Sequence, residues 1–412
     1  MRDRSKWEVR FRRFSWVVLV PMAACGGSST EGQAAAGGPV EVTADNVHVL
    51  GTSDALAVVL DLEVLPDGRV WVLNSAAPFF VGFDADGGLI DTWGEEGGGP
   101  EEFRLPAGFV TGGLDGEAWV LDLRRHTLIR VSRPEAPWAE VRIPRDVLPP
   151  GTVQGGLDLM TPVVRTGSLG GRVILPYSTG SLQTGIFSMI EGMLKADLMS
   201  LDPATGEVGR VLGLGEAIAD PFADFEPTEG GFPLWKRLWA VCGEDEIRVY
   251  DRVRNELRGF DSAGTELTPL ALPATGLDEV TPQEFAGAIF PLRQAEVTGG
   301  VGSRLSTADS IRLINTMAQD AKGDPAQLAA YLPAVVDFRC STGGTMWIRP
   351  LDLSAGGLSG GRVWIQVGQD GATSPVTLPE RFDPIRFTED RVWGVLRDEL
   401  DVAAIAWAEL PA

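Results

Sequence analysis

Few residues in this chain could do chemistry, and their spacing argues for binding before catalysis. Asn74, Asp122, Asp251 and Asp398 each end or follow a short apolar run rich in Val or an aromatic. Four such groups at equivalent places of a repeat would line one rim, where they either hold a cation such as calcium or accept backbone N–H bonds and shape the loop. Arg124, Arg125 and His126 stand at one such place, and Arg252 and Arg254 at another. Guanidinium forks suit carboxylate or phosphate, so these residues together with Asp398 are the candidate binding residues for an anionic ligand; solvated loop charge is the plainer expectation.

Catalytic machinery is harder to find. The chain holds only two histidines, His48 and His126, too few for a multi-histidine zinc site. A phosphate loop and HExxH are absent from the sequence, and no catalytic residue or resident cofactor is assigned. Asp and Glu are abundant, 57 in all, so a calcium-dependent hydrolase or lyase of the lactonase kind stays open as the alternative. Asp84-Ala-Asp-Gly has the look of a calcium-loop fragment but lacks the later Glu, and it reads as a hairpin turn. Trp71, Trp119, Trp347 and Trp393 occupy equivalent positions, which points to core packing rather than carbohydrate stacking.

These residues must be positioned by a repeat. From Leu62 to Gly94 the sequence alternates apolar and polar residues in four short runs broken by Pro-Asp-Gly and Asp-Ala-Asp-Gly-Gly. Such runs read as four antiparallel strands joined by tight turns, one propeller blade with two apolar faces that must stack on copies of itself. The second strand marks the copies: Val70-Trp71, Ala118-Trp119, Val173-Ile174, a run near Val249, Met346-Trp347 and Val392-Trp393, spaced by 48, 55, 75, 98 and 46 residues. A unit of about 47 residues with insertions follows. The last copy, up to Leu410, lacks an outer strand, and Val40–Leu50 is a strand without a blade; joining the two closes the ring and leaves no orphan edge. The fold class expected is therefore all-β, a six-bladed β-propeller of four-stranded blades over residues 40–412, closed by an N-terminal strand. Two insertions interrupt it. Ser178–Lys195 splits the third blade, and a helical insertion at about 278–332 opens on the capping box Thr281-Pro282-Gln283-Glu284, with further starts at Ser306 and Asp324. Both insertions are expected at one mouth, as a lid over a ligand site or as a cap on the channel.

Composition sets the class of partner. With a net charge of −22 and a pI near 4.5, no basic surface for nucleic acid is expected. The N-terminus carries six basic residues, then an apolar run from Phe14 to Ala24 that is too short to span a bilayer comfortably. It ends in Met-Ala-Ala-Cys. This resembles a bacterial lipobox, which implies a signal peptide over residues 1–24, lipidation of Cys25, and a flexible tether from Cys25 to Pro39 reaching roughly 20 Å. The remaining partner expected is a small molecule or protein of unknown identity; the membrane is engaged only through the lipid. An exported, membrane-anchored periplasmic or surface protein sits in an oxidising setting. There Cys242 and Cys340 could bridge neighbouring inner strands or stay as two buried thiols.

The connection Trp93-Gly94 through Pro106, with Gly97-Gly98-Gly99 and Phe103-Arg-Leu-Pro, is similar to the linker of NHL-repeat propellers. Asp115-Gly-Glu-Ala-Trp-Val-Leu-Asp122 resembles the body of the same repeat. Together with the lipobox and Val392-Trp-Gly-Val-Leu-Arg-Asp-Glu-Leu400, the chain resembles bacterial six-bladed propeller lipoproteins. That resemblance implies an architecture and leaves the function to the site.

Overall fold

Alternation of β-branched and aromatic residues with turn-forming Asp and Gly builds a succession of short strands. The computed structural model describes residues 40–131, 139–144, 164–177, 197–214, 238–273, 277, 279–298, 305–321, 324–354 and 361–410. The expected signal peptide, Cys25, the tether and the 178–195 insertion lie outside the described residues. The chain starts with β1 (Val40–Glu41) and β2 (Val47–Gly51), and a first unit then comprises β3 (Val59–Val64), β4 (Val70–Asn74), β5 (Phe80–Phe83) and β6 (Leu89–Trp93). A short parallel pair, β7 (Glu95–Glu96) and β8 (Glu102–Phe103), leads to the second unit, β9 (Pro106–Thr111), β10 (Trp119–Asp122), β11 (Thr127–Arg130) and β12 (Glu140–Arg142). The third has β13 (Thr166–Leu169), β14 (Arg172–Tyr177), β15 (Asp197–Leu201) and β16 (Val208–Gly213). The fourth has β17 (Trp239–Cys242), β18 (Glu246–Asp251), β19 (Glu256–Asp261) and β20 (Leu270–Ala271).

Three helices follow, α1 (Pro282–Thr298), α2 (Thr307–Asp320) and α3 (Pro325–Tyr331). After them come β21 (Val335–Cys340), β22 (Met346–Pro350), β23 (Val363–Val367) and β24 (Thr373–Thr377), and finally β25 (Phe382–Phe387), β26 (Arg391–Arg397) and β27 (Ala403–Glu409). Within each unit the strands pair antiparallel in sequence order. The first strands β3, β9, β13, β17, β21 and β25 touch their neighbours in turn, and β25 returns to β3. The chain is a β-propeller.

Packing between units explains the composition. Trp71, Leu73 and Phe80 of the first unit meet Phe109, Val120 and Ile129 of the second. Val70, Val72 and Val81 meet Trp393, Val395 and Ile405 of the last. A strand such as β4 is therefore buried along its whole length, whereas β6 at the outside is largely exposed. Because interior area stabilises at roughly 25 cal/mol per Å², two apolar faces per sheet are useful only in a stack. Trp71, Trp347 and Trp393 are buried in these interfaces, and Trp119 is half-buried. Their place is in the core.

Ring closure differs in detail from the single strand expected over Val40–Leu50. β2 does pair antiparallel with β27, as outer strand of the last unit, but β1 pairs parallel with β24 one unit earlier. A 3-10 turn at Ala44–Asn46, held by the Thr43 hydroxyl and Asn46 side chain at 2.8 Å, breaks the run in two. The end of β2 also seats on the first unit, where a Cβ on Gly87, whose φ is +87, would collide with the Leu50 carbonyl. The sheets likewise do not separate cleanly into four-stranded blades. Parallel pairing of β9 with β13 fuses the second and third units into one eight-stranded sheet, and β1 makes the β21–β24 sheet five-stranded. Inner strands crowd toward the axis, so their edges come close enough to bond.

The helical insertion forms where the capping signals place it. Thr281 and Glu284 cap α1 reciprocally, the Thr281 N–H donating to Glu284 at 2.9 Å and the Glu284 N–H to the Thr281 hydroxyl at 3.2 Å. Ala288, Leu328 and Leu332 of the insertion pack on Val336 and Leu351 of the following unit.

Candidate functional site

Polar side chains on inner strands decide what the axis can do. Asp61 and Glu63 are both buried on β3, two residues apart and so on one face. Between them lies Arg386 of β25, 8% exposed, with Nη2 3.2 Å from Asp61 and 3.0 Å from Glu63. Its Nε and Nη2 also donate to the Leu62 carbonyl at 3.1 and 2.9 Å, and Nη1 donates to the Thr111 hydroxyl. The carboxylates are held from behind. Asp61 accepts the N–H of Leu62 and of Phe109, each at 2.9 Å, and Glu63 accepts that of Gly112 at 3.0 Å. One guanidinium thus ties the first and last units together at the axis.

A second clasp spans the ring from the third unit to the fifth. Arg165, just before β13, pairs with Asp337 and donates to the Phe338 carbonyl, while Arg339 reaches the same Asp337 at 3.3 Å. Cys242 and Cys340, at the ends of β17 and β21, form a disulfide with Cα atoms 5.1 Å apart.

Burial pushes the Glu63 carboxyl up to about 7, against the opposing pull of Arg386. A proton held more tightly folded than unfolded favours folding below about pH 4.5, and that contribution is lost as pH rises through about 7. The swing amounts to about 3 kcal/mol.

The rim residues anticipated from sequence are engaged mostly in their own loops. Asp122 accepts the N–H groups of Arg104, Leu105 and Arg125 at 2.8, 3.2 and 3.0 Å. Asn74 donates to the carbonyls of Ala55 and Pro78, Asp251 accepts the Arg254 N–H, and Asp398 accepts those of Leu400 and Val402. Asp84 likewise accepts the N–H groups of Asp86 and Gly88. These side chains shape turns.

Arg125 braces the glycine loop, with Nη1 donating to the carbonyls of Gly99 and Glu102 at 2.8 and 2.5 Å and Nη2 meeting Glu140 at 2.9 Å. His126 adopts a left-handed backbone, φ 55, and its carbonyl accepts the Ile143 N–H. Arg254 pairs with Asp251 and Glu256 at 3.6 and 3.8 Å, and burial pulls Arg252 down to about 10. Arg124 is different. It is exposed and lines a surface pocket with Arg104, Glu96, Gly97 and Gly98, on the loop leading into the second unit. The Arg104 guanidinium lies over Gly98, where a Cβ would come within 2.8 Å of it. Arg124–His126 and Arg252–Arg254 belong to different units, and the pairs Arg125–Glu140 and Arg254–Asp251 each lie within one unit.

Calcium takes about six to eight oxygen ligands from carboxylates, carbonyls and water. Among the described residues no three His, Cys, Asp or Glu side chains gather to hold a metal. Asp61, Glu63 and Asp337 each face an arginine, so the axial donor set does not fit a calcium ion. The axial residues escaped the sequence reading, although one signal was present: charged residues at alternate positions in apolar runs, Asp61 and Glu63 in Leu-Asp-Leu-Glu-Val and Asp337 and Arg339 in Val-Val-Asp-Phe-Arg-Cys.

No family model and no curated protein matches this chain. Among solved structures it is similar to selenomethionine-substituted virginiamycin B lyase from Staphylococcus aureus, at 10% identity over 86% of this chain and 80% of that one, TM-score 0.40. It is similar to the calcium-binding protein regucalcin from Agrobacterium tumefaciens, at 9% identity over 90% and 96%, TM-score 0.41. A gluconolactonase from Xanthomonas campestris shows 11% identity over 91% and 98%, TM-score 0.39.

Proposed function

We propose that this chain is an exported, lipid-anchored β-propeller of six blades that acts in the envelope or at the cell surface as a binding module for a small molecule or protein. One observation carries the reading: the carboxylates nearest the axis are held by arginines from other units, Asp61 and Glu63 by Arg386 and Asp337 by Arg165. Groups locked in this way join units and are poorly placed to activate water or ligate calcium. The working surface is then the rim, where Arg104 and Arg124 share a pocket. A calcium-dependent hydrolase or lyase is the competing reading, and it requires those axial carboxylates to be released.

The two separate in a screen of purified protein against lactones and esters, with and without calcium. We expect no saturable turnover and no calcium-dependent rise in melting temperature; either one would replace the binding reading with the catalytic one. Anchoring has its own test. Cys25→Ala should abolish palmitate labelling and release the protein from membranes, and a variant that stays labelled would remove Cys25 as the anchor.

A further inference from the structure

Apolar side chains reach water at one mouth of the ring. Because the strands pair antiparallel in sequence order, the connections from second to third strand and those between units leave by the same mouth. Val58 lies in the connection into the first unit, Leu105 in that into the second, Val253 between β18 and β19, and Leu400 with Val402 between β26 and β27; all are exposed, Leu400 by 83%. The other exposed large apolar residues are on β1, β2, β6 and α2. Among the described residues none stands in a turn at the opposite mouth, where Pro66-Asp67-Gly68, Asp84-Ala-Asp-Gly, Asp115-Gly116 and Glu389-Asp390 make the bends. Single exposed apolar residues are ordinary on any protein, but these share one mouth. Fixed turns present them: Asp122 accepts the N–H of Leu105, Asp398 those of Leu400 and Val402, and Asp251 that of Arg254 beside Val253.

We propose that this mouth rests on a lipid bilayer, with Leu105, Val253, Leu400 and Val402 entering the headgroup region and the nearby pocket holding a zwitterionic headgroup of the phosphoethanolamine kind. Leu105, Val253 and Leu400 belong to the second, fourth and last units, so they are spread around the ring; three separated points define a plane, which suits a flat surface better than a compact ligand. Beside Leu105, Arg104 and Arg124 line an open pocket with Glu96. Among the described residues none of these three side chains makes an ion pair or a hydrogen bond. Two guanidinium forks suit a phosphate and a carboxylate suits an ammonium, so both charges of such a headgroup find a partner. Arginine beside an aliphatic side chain is also the arrangement that lets a charged head stay at the interface while the carbon stem lies against lipid. The inference rests on the lipid-anchored reading above: a tether reaching roughly 20 Å keeps the ring beside the membrane. It extends the membrane contact beyond the acyl chains, and makes a lipid headgroup the small molecule held at the rim.

The experiment floats the full acylated chain with vesicles of phosphatidylethanolamine and phosphatidylcholine. Cys25 then carries the lipid and Cys242 is bridged to Cys340, so a nitroxide can be placed on one introduced cysteine, Leu400→Cys in one sample and Asp86→Cys, at the opposite mouth, in another. In floated protein the label replacing Leu400 should lose collisions with an aqueous nickel chelate and gain them with oxygen, while the label replacing Asp86 stays in water. Leu105→Asp with Val253→Asp, both at exposed side chains, should return the first label toward water. Phosphatidylglycerol vesicles should protect it less, since Glu96 and a net charge of −22 oppose an anionic surface. Floated protein with both labels in water, equal protection of the two, no effect of the double substitution, or stronger protection on phosphatidylglycerol overturns the proposal and leaves the anchor standing. Protein that does not float removes the anchor, and this inference with it.

Discussion

Arg386→Met should lower the unfolding free energy by about 3–5 kcal/mol at pH 8, because it leaves two buried carboxylates facing each other without a counter-charge. Asp61 and Glu63 are 6% and 3% exposed, and Arg386 also supplies donors to the Leu62 carbonyl and the Thr111 hydroxyl. Methionine keeps most of the stem volume, so a cavity contributes little to the loss. Urea unfolding reads it as a lower midpoint at unchanged slope. A loss under about 1 kcal/mol would mean that the pair is no stronger than an exposed one.

Removing the disulfide should have a comparable effect by a different route. Cys242 and Cys340 are 98 residues apart, and closing a loop of that length removes about 4–5 kcal/mol of unfolded-chain entropy. The bridge joins the fourth and fifth units across the helical insertion, the longest interruption in the repeat. Cys242→Ala/Cys340→Ala should therefore unfold at a clearly lower urea concentration, and reductant should shift wild type but not the variant. Both sulfur-bearing side chains are buried, so reduction has to be carried out through partial unfolding. Equal midpoints for the variant and oxidised wild type would show that the bond adds nothing.

Sequence pattern carried the architecture further than the site. Period-two runs, with Trp on four of the six second strands (Trp71, Trp119, Trp347 and Trp393), located the units, and the capping box at Thr281 located α1. Those signals are local, so no distant contact is needed to read them. The closing strand was half legible: β2 fits, but the break at Ala44–Asn46 and the pairing of β1 with β24 depend on where another unit's edge lies. Rim charges were visible as residue types, yet Arg125 turns out to brace a loop through the carbonyls of Gly99 and Glu102, more than twenty residues away. The axial clasp was the least legible. Arg386 and Asp61 are 325 residues apart, and only ring closure brings them together.

The account stands on the axial charges holding the ring. A double-mutant cycle of Arg386→Met, Glu63→Gln and their combination, followed by urea unfolding at pH 8 and pH 5, tests this most directly. At pH 8 Glu63→Gln alone should flatten the loss of stability that wild type shows as Glu63 gives up its proton. The double variant should be more stable than Arg386→Met, with a coupling of about 1–3 kcal/mol. At pH 5 that gap should close, since Glu63 then already carries its proton. Additive effects at both pH values would contradict the account and return Glu63 to the list of groups free to do chemistry.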